Sequence, residues 1–398
     1  MPLRGRSGFS GKILAAIACL GLVAACGQAE APGAAHPSTG TPGTASRTRA
    51  AAASPPGKTE ATALVKHADF LHGISCPSAS SCVAVGWYYY GAADHAHPLI
   101  EHWNGTGWQV QAPPPGGRDG TLTGVSCTSA DDCTAVGSLI LGWTGRQWRV
   151  ERRVTSFDAV SCPAPSRCMA VGVTRSGTPV AGTWNGSAWR VSPMPDPARR
   201  AEPVTLAGIS CPASTACLAV GDYASGASAR PSPRYRDRIL AERWDGRAWR
   251  LVPALDVARQ DKLAAVSCTV PRRCMAVGST RGKVTLAESW DGARWRAEPT
   301  GNLNRIGYSE LTGISCTAPA RCMAVGDYNL AVPFYEQDQD AIWIISKMAS
   351  PAGQPGTSLL AVSCFGTTCV AAGTYAGQAV TELWQGKSWQ LLATPNPR

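Results

Sequence analysis

Fourteen cysteines stand in seven close pairs: Cys76/Cys82, Cys127/Cys133, Cys162/Cys168, Cys211/Cys217, Cys268/Cys274, Cys316/Cys322 and Cys364/Cys369. Two thiols so placed either hold part of a metal's coordination shell or join each other. A structural zinc site takes four ligands, and six of the seven copies bring no histidine nearby. Disulfides are therefore the expectation, each stapling a hairpin at its loop, with no metal and no other cofactor. Each closed loop, of about seven residues, is worth about 2 to 2.5 kcal/mol in the chain-entropy picture. Other residues suited to chemistry sit in three inserts between the pairs. The first carries Trp87, Tyr88, Tyr89 and Tyr90, the second Tyr223, Arg234, Tyr235 and Arg236, and the third Tyr328 and Tyr335. Aromatic rings beside hydrogen-bonding groups suit sugar rings or peptide side chains, and arginines suit carboxylates or phosphates. These ten are the candidate ligand-binding residues.

Catalysis has less to build on. The chain has no Gly-x-Ser-x-Gly elbow, no His-Glu-x-x-His and no phosphate loop. Glu336 and Asp338 form a carboxylate pair of the kind glycosidases use, but spacing along a loop does not set their separation in space. Asp94, His95 and His97 lie on an insert where two histidines are ordinarily solvated. The expectation is a binding protein with no catalytic residues.

The elements that must position these residues form a repeat with a period of 35 to 57 residues, in the range of propellers and helical arrays. Local chemistry favours strands. Ile74-Ser75-Cys76 and Cys82-Val83-Ala84-Val85 flank Pro77-Ser78-Ala79-Ser80-Ser81, a spacer of turn formers too short for a helix. Leu99 to Trp103 and Gly107 to Val110 flank Asn104-Gly105, a hairpin signal. It returns as Asn185-Gly186, Asp245-Gly246, Asp291-Gly292, Thr144-Gly145 and Gln385-Gly386, each with a tryptophan three residues after the glycine. Four strands repeated seven times predict an all-β fold, a seven-bladed β-propeller of four-stranded antiparallel blades with one disulfide per blade. Along Cys82-Val83-Ala84-Val85-Gly86 and its copies, alternation puts small residues on one face and Val, Leu or Met on the other, which suits wedges around an axis. The paired tryptophans are expected to cap the outer hairpins and fill the gaps between blades. Blade six, with Ala341-Ile342-Trp343-Ile344-Ile345, lacks the Asn-Gly and one tryptophan. Blade two leaves almost no loop between its second and third strands.

Ahead of the repeats, residues 1–25 read as an export signal: Arg4, Arg6 and Lys12, then the apolar run Ile13 to Ala25. Val23-Ala24-Ala25-Cys26 resembles the bacterial lipoprotein box, which implies cleavage before Cys26 and diacylglycerol on its thiol. Cys19 then leaves with the signal and Cys26 carries the lipid, so every remaining cysteine has a partner. Export places those pairs in an oxidising milieu. Residues 26–64, dominated by Ala, Pro, Gly, Ser and Thr, form a tether that cannot bury a core, with a span of roughly 35 Å as a flexible coil. Residues 65–398 are one domain, because a blade needs neighbours on both sides. Richness in Ala, Arg, Pro and Gly together with the lipobox points to an actinobacterium.

The order Leu-x-x-Ile/Val-Ser-Cys, Cys-x-Ala-Val-Gly, Trp-Asn/Asp-Gly-x-x-Trp resembles blades of Asp-box (bacterial neuraminidase repeat) propellers and of related propellers that assist photosystem assembly. The resemblance covers nearly all of the domain. It departs from the box in that the acidic or amide residue directly precedes Gly and the usual Ser or Thr is not regular. It implies sialidase activity as one outcome, yet the signature of that family is approached only by Arg238-Ile239-Leu240, which lacks the proline.

The formal charge of +10 falls to +7 when the three signal cations leave. Basic residues are spread around the repeats, and export removes nucleic acid as a partner. The sequence thus predicts a monomeric cell-surface lipoprotein, extracytoplasmic and held to the membrane by Cys26. Its propeller is expected to be a non-catalytic binding or scaffolding module for wall glycan, peptide or a partner protein. The alternative is a propeller carbohydrate-active enzyme, a glycosidase or lyase.

Overall fold

The computed structural model describes residues 68–398 apart from 90–94, 155–156, 198–202, 226–235, 256–259, 281–283, 302–307, 330–331, 340–341, 349–355, 396 and 398. Blade one consists of β1 (Ala68–Ser78), β2 (Ser81–Tyr89), β3 (Ala96–Trp103) and β4 (Trp108–Val110). Six more four-stranded sheets follow, spanning 122–153, 159–193, 204–251, 261–298, 309–347 and 357–392. Each is an antiparallel meander with its strands in chain order. The seven-bladed, all-β architecture and one disulfide per blade are as the repeats predict. In blade two only Ser138 separates the second strand from the third.

The hairpins differ in detail from the sequence expectation. The five-residue spacer between the cysteines is not all turn: β1 and β2 run on past both thiols and leave Ala79 and Ser80 as the bend. The outer hairpin closes through four residues. Asn104 Oδ1 accepts the N–H groups of Thr106 and Gly107, each at 3.0 Å, and Gly105 takes a φ of 94°. Asn185, Asp245 and Asp291 make the same pair of bonds, so the side-chain oxygen holds the turn that Gly permits.

The disulfides also sit deeper than a staple at the loop would. The second cysteine of each pair, Cys82, Cys133, Cys168, Cys217, Cys274, Cys322 and Cys369, is a buried core residue, 0–6% exposed. Cys133 belongs to the cluster of Leu122 and Trp148, Cys168 to that of Val160 and Trp189, and Cys217 to that of Ile209 and Trp249. The reason is register: the second cysteine opens the small-residue face of strand two, which the adjoining blade covers. The bonds Cys127–Cys133, Cys162–Cys168 and Cys211–Cys217 therefore hold the hairpin from inside the blade interface.

The core lies between blades. Small residues of strand two face the preceding blade and large ones the next: Cys82 and Ala84 pack with Val370 and Ala372 of blade seven, while Val83 and Val85 pack with Leu122 and Val125 of blade two. Trp103 and Trp108, directly opposed and 5.8 Å apart, join the cluster shared with blade seven. At two interfaces the indole also bonds across: Trp148 Nε1 donates to Gln111 Oε1 at 2.6 Å and Trp189 Nε1 to Glu151 Oε2 at 2.5 Å. The paired tryptophans do fill the gaps, as expected.

A ring of hydrogen bonds joins the first strands. In all seven blades the first cysteine's N–H donates to the serine Oγ of the preceding blade, at 2.9–3.0 Å: Cys127 to Ser75, Cys162 to Ser126, Cys211 to Ser161, Cys268 to Ser210, Cys316 to Ser267, Cys364 to Ser315 and Cys76 to Ser363. The last of these closes the circle, joined by Asp69 N–H to Gly377 O at 2.9 Å. Blades one and seven meet by juxtaposition, each with its own four strands.

Third strands carry a second repeated feature. Glu101, Glu242, Glu288, Glu336 and Glu382 stand opposite Ala84, Ala219, Ala276, Ala324 and Ala371 and are 0–1% exposed. Burial pushes Glu101, Glu242 and Glu336 up to about 8 and Glu382 to about 7, with nearby Asp69 and Asp196 adding to the rise at Glu101 and Glu242. A carboxyl so shifted holds its proton in the folded state and loses it in the unfolded one.

The serine ring and the buried glutamates can each be tested through stability. Ser210→Ala leaves the Cys268 N–H without its acceptor and should cost about 1–3 kcal/mol, read as a drop in calorimetric Tm with an unchanged far-UV spectrum. Because the glutamates' folded pKa values lie above the unfolded ones, their contribution is full below about pH 4.5 and is lost as pH rises towards 8. His72 and His102, lowered by burial, work the other way only up to about pH 6.5. The oxidised protein should therefore lose roughly 5 °C in Tm between about pH 6.5 and pH 8, and the triple variant Glu101→Gln, Glu242→Gln, Glu336→Gln should flatten the slope. A Tm that rises over that window would mean that the carboxyls are charged and paired.

Candidate functional site at the propeller axis

Pairing between the first two strands slips by one residue in six blades, between Leu71 and Gly73, Leu122 and Gly124, Leu206 and Gly208, Leu263 and Ala265, Leu311 and Gly313, and Leu359 and Ala361. The residues left over are His72, Thr123, Ala207, Ala264, Thr312 and Leu360. In blade three Asp158 holds the same place just ahead of the strand, its N–H donating to Val171 O at 2.8 Å. A bulge takes its extra residue out of the ladder and re-aims the side chain. The glycine ending each Ala-Val-Gly run makes room for it: a Cβ on Gly86 would lie 1.7 Å from the Phe70 carbonyl oxygen.

Six of these seven residues line one cavity of about 600 Å3, together with Val173, Val204, Thr205 and Leu206. It lies where strand one begins and strand two ends, on the side of the variable connections. Blades one, two and three bring His72, Thr123 and Asp158 to it in succession, while Ala207 and Leu360 supply apolar wall. Thr123 Oγ1 donates to Phe157 O at 2.7 Å and Thr312 Oγ1 to Leu359 O at 2.5 Å, so both hydroxyl protons are committed and their lone pairs remain acceptors. His72 stacks on Trp87 at 4.1 Å, and burial lowers its pKa to about 4, which keeps the ring neutral. Among the described residues Asp158 is the one carboxylate in the lining. A wall of acceptors that includes one carboxyl group suits hydroxyl, amide or ammonium donors. Among the described residues no second carboxylate in the lining faces Asp158.

The residues singled out from sequence are distributed differently. Trp87, Tyr88 and Tyr89 are not on a loop but extend strand two, which reaches Tyr89. Trp87 meets the cavity through His72, Tyr88 packs into the cluster between blades seven and one, and Tyr89 is exposed. Tyr223 and Tyr328 also lie in second strands and pack between blades three and four and between five and six. Tyr335 lies in a third strand, 5.3 Å from Trp384 and 5.9 Å from Trp389. Arg236 opens the third strand of blade four, and nothing of its side chain is described. Tyr90, Arg234, Tyr235 and Cys26 lie outside the described residues. Tyr88, Tyr223, Tyr328 and Tyr335 thus occupy separate blade interfaces and do not converge. Cys133, Cys168 and Cys217, buried and disulfide-bonded, are structural and present no thiol to a ligand. His72, Thr123, Asp158 and Thr312 escaped the sequence reading. Their signal was variation at a fixed place, two residues before Ile/Val-Ser-Cys, inside a motif otherwise repeated.

Fold and axis together define a closed seven-bladed propeller with an axial cavity. No sequence-family profile and no curated protein matches the chain. Among solved structures, the β-propeller domain of Myceliophteria thermophila Cps50 (Swd1) matches at 10% identity with a TM-score of 0.53, over 78% of this chain and 95% of that one. Aleuria aurantia lectin in complex with α-methyl-L-fucoside matches at 10% identity and 0.46, over 68% and 92%. YCF48 bound to D1 peptide matches at 15% and 0.43, over 68% and 80%. At 10% identity the likeness to the first of these is one of fold.

The His72 environment is open to direct measurement. In an NMR titration its imidazole should show a midpoint near 4. A midpoint above about 6, close to that of a solvated imidazole, would mean that the axis is wetter than this packing implies.

Proposed function

We propose that the chain is a non-catalytic binding module of the cell surface, and that its axial cavity takes the donor-bearing end of a wall glycan, a peptide or a partner protein. The observation that carries this reading is the turning of one residue in each of six blades towards the axis, the polar ones being His72, Thr123 and Asp158 of blades one to three and Thr312 of blade six. Seven disulfides support an oxidising compartment, and with the lipobox they support an extracytoplasmic protein held to the membrane by lipid on Cys26. Residues 26–64 would give the propeller reach from that anchor. Among the described residues the lining holds one carboxylate, which favours the binding reading over the carbohydrate-active enzyme.

The test is to incubate the oxidised full-length protein with an array of wall polymers, glycans and peptides while product release is followed by mass spectrometry. Binding without product is expected, weakened about tenfold by Asp158→Asn and similarly by His72→Ala. Released product would replace this reading with the enzymatic one. Binding unaffected by both substitutions would move the site away from the axis.

A further inference from the structure

In six blades the third strand ends on a tryptophan opposite the second cysteine: Trp103, Trp143, Trp184, Trp244, Trp290 and Trp384. In blade six that place belongs to Asp338, opposite Cys322 and paired with Trp343. The indole normally lies under the disulfide loop, where Trp103 Nε1 donates to Ala79 O at 3.3 Å and Trp143 Nε1 to Ala130 O at 3.1 Å. At the equivalent Pro319 a short carboxylate replaces it.

The space shows the difference. Between blades four and five, with Trp244 and Trp290 both in place, the cleft beneath the disulfide loops holds about 30 Å3. The cleft at the same position between blades six and seven holds about 390 Å3, and a second one, between blades five and six, about 300 Å3. Asp338, only 3% exposed, walls both. In the larger cleft Met323 and Trp384 supply an apolar wall, while Gln337, Asp338, Thr367 and the exposed Arg321 supply a polar edge.

We infer that the cleft between blades six and seven is a second binding site, separate from the axis, and that it takes one neutral sugar ring in the space an indole fills elsewhere. A pyranose has one face of C–H groups and an edge of hydroxyls. The apolar wall takes the first. The second meets a polar edge of carboxylate, guanidinium, amide and hydroxyl, which between them donate and accept. The lining holds both an acid and a base beside its apolar wall, which suits a ligand that carries hydroxyls and no net charge. The mouth opens on the disulfide-loop face, opposite the axial cavity's, and the inference does not rest on the axial reading.

Saturation-transfer NMR on the oxidised full-length protein tests it, with glucose, galactose, mannose, fucose and N-acetylglucosamine as probes. At least one sugar should give transfer. Asp338→Trp, which restores the indole, should abolish it, and Thr367→Trp, which blocks the same cleft from an exposed turn, should do likewise. Every variant is read in an Asp158→Asn background, so that sugar held at the axis does not contribute, and there Arg321→Ala, on an exposed side chain, should weaken binding about tenfold. In that background, no transfer from any of these sugars, or transfer that survives both tryptophan substitutions, would each overturn the assignment.

Discussion

The molecule depends on what happens to one backbone N–H per blade. Residues directly opposed in an antiparallel pair alternate between those that exchange hydrogen bonds and those that turn their polar groups away from each other, and the latter stand closer. The disulfides occupy the close kind, with α-carbons 3.9–4.1 Å apart. The geometry that admits the disulfide therefore turns the first cysteine's N–H towards the axis, where its own sheet has no further strand. An unpaired buried N–H is costly, and the serine one residue earlier in the neighbouring blade accepts it. Because every blade both gives and takes such a bond, seven local requirements are met only by a closed ring.

The bulge adds the second constraint. Bringing seven first strands together leaves room only for small residues at Gly73, Gly124, Ala159, Gly208, Ala265, Gly313 and Ala361; a Cβ on Gly73 would lie 3.0 Å from the Gly124 α-carbon. A slip beside six of these small residues frees one side chain from the ladder, and all of those but Ala264 line the cavity, as does Asp158 just ahead of Ala159. The repeated Ala-Val-Gly and the variable residues His72, Thr123 and Asp158 are thus two sides of one arrangement: the glycine yields space to the bulge, and the bulge presents whatever residue the blade carries. Elsewhere function is silent in the scaffold, because Val, Leu and Met on one face and Cys and Ala on the other are committed to neighbouring blades.

Blade six shows how a repeat locates a departure. Against six tryptophans at the end of the third strand, Asp338 stands out only once the register is known, because the sequence there lacks the Asn-Gly that would align it. Read along the chain, Glu336 and Asp338 look like a carboxylate pair on a loop. In the fold they are two residues apart on one strand: Glu336 continues the series of buried glutamates, and Asp338 replaces an indole at the rim.

Strands, blade count, cysteine pairing and the packing role of the tryptophans were all legible in the chain. Each rests on short-range chemistry, turn formers at consistent offsets and alternation of side-chain size, that seven copies repeat. Which residues face a cavity was settled only by the assembled ring. Tyr88, Tyr223, Tyr328 and Tyr335 look like binding aromatics until strand register packs them between blades, and His72 and Thr123 look like ordinary strand residues until a one-residue slip turns them to the axis. The face to which a strand residue points changes with a single step of register, and that step is set by contacts with the neighbouring blade, 35 to 57 residues away along the chain or, where blade seven meets blade one, 287.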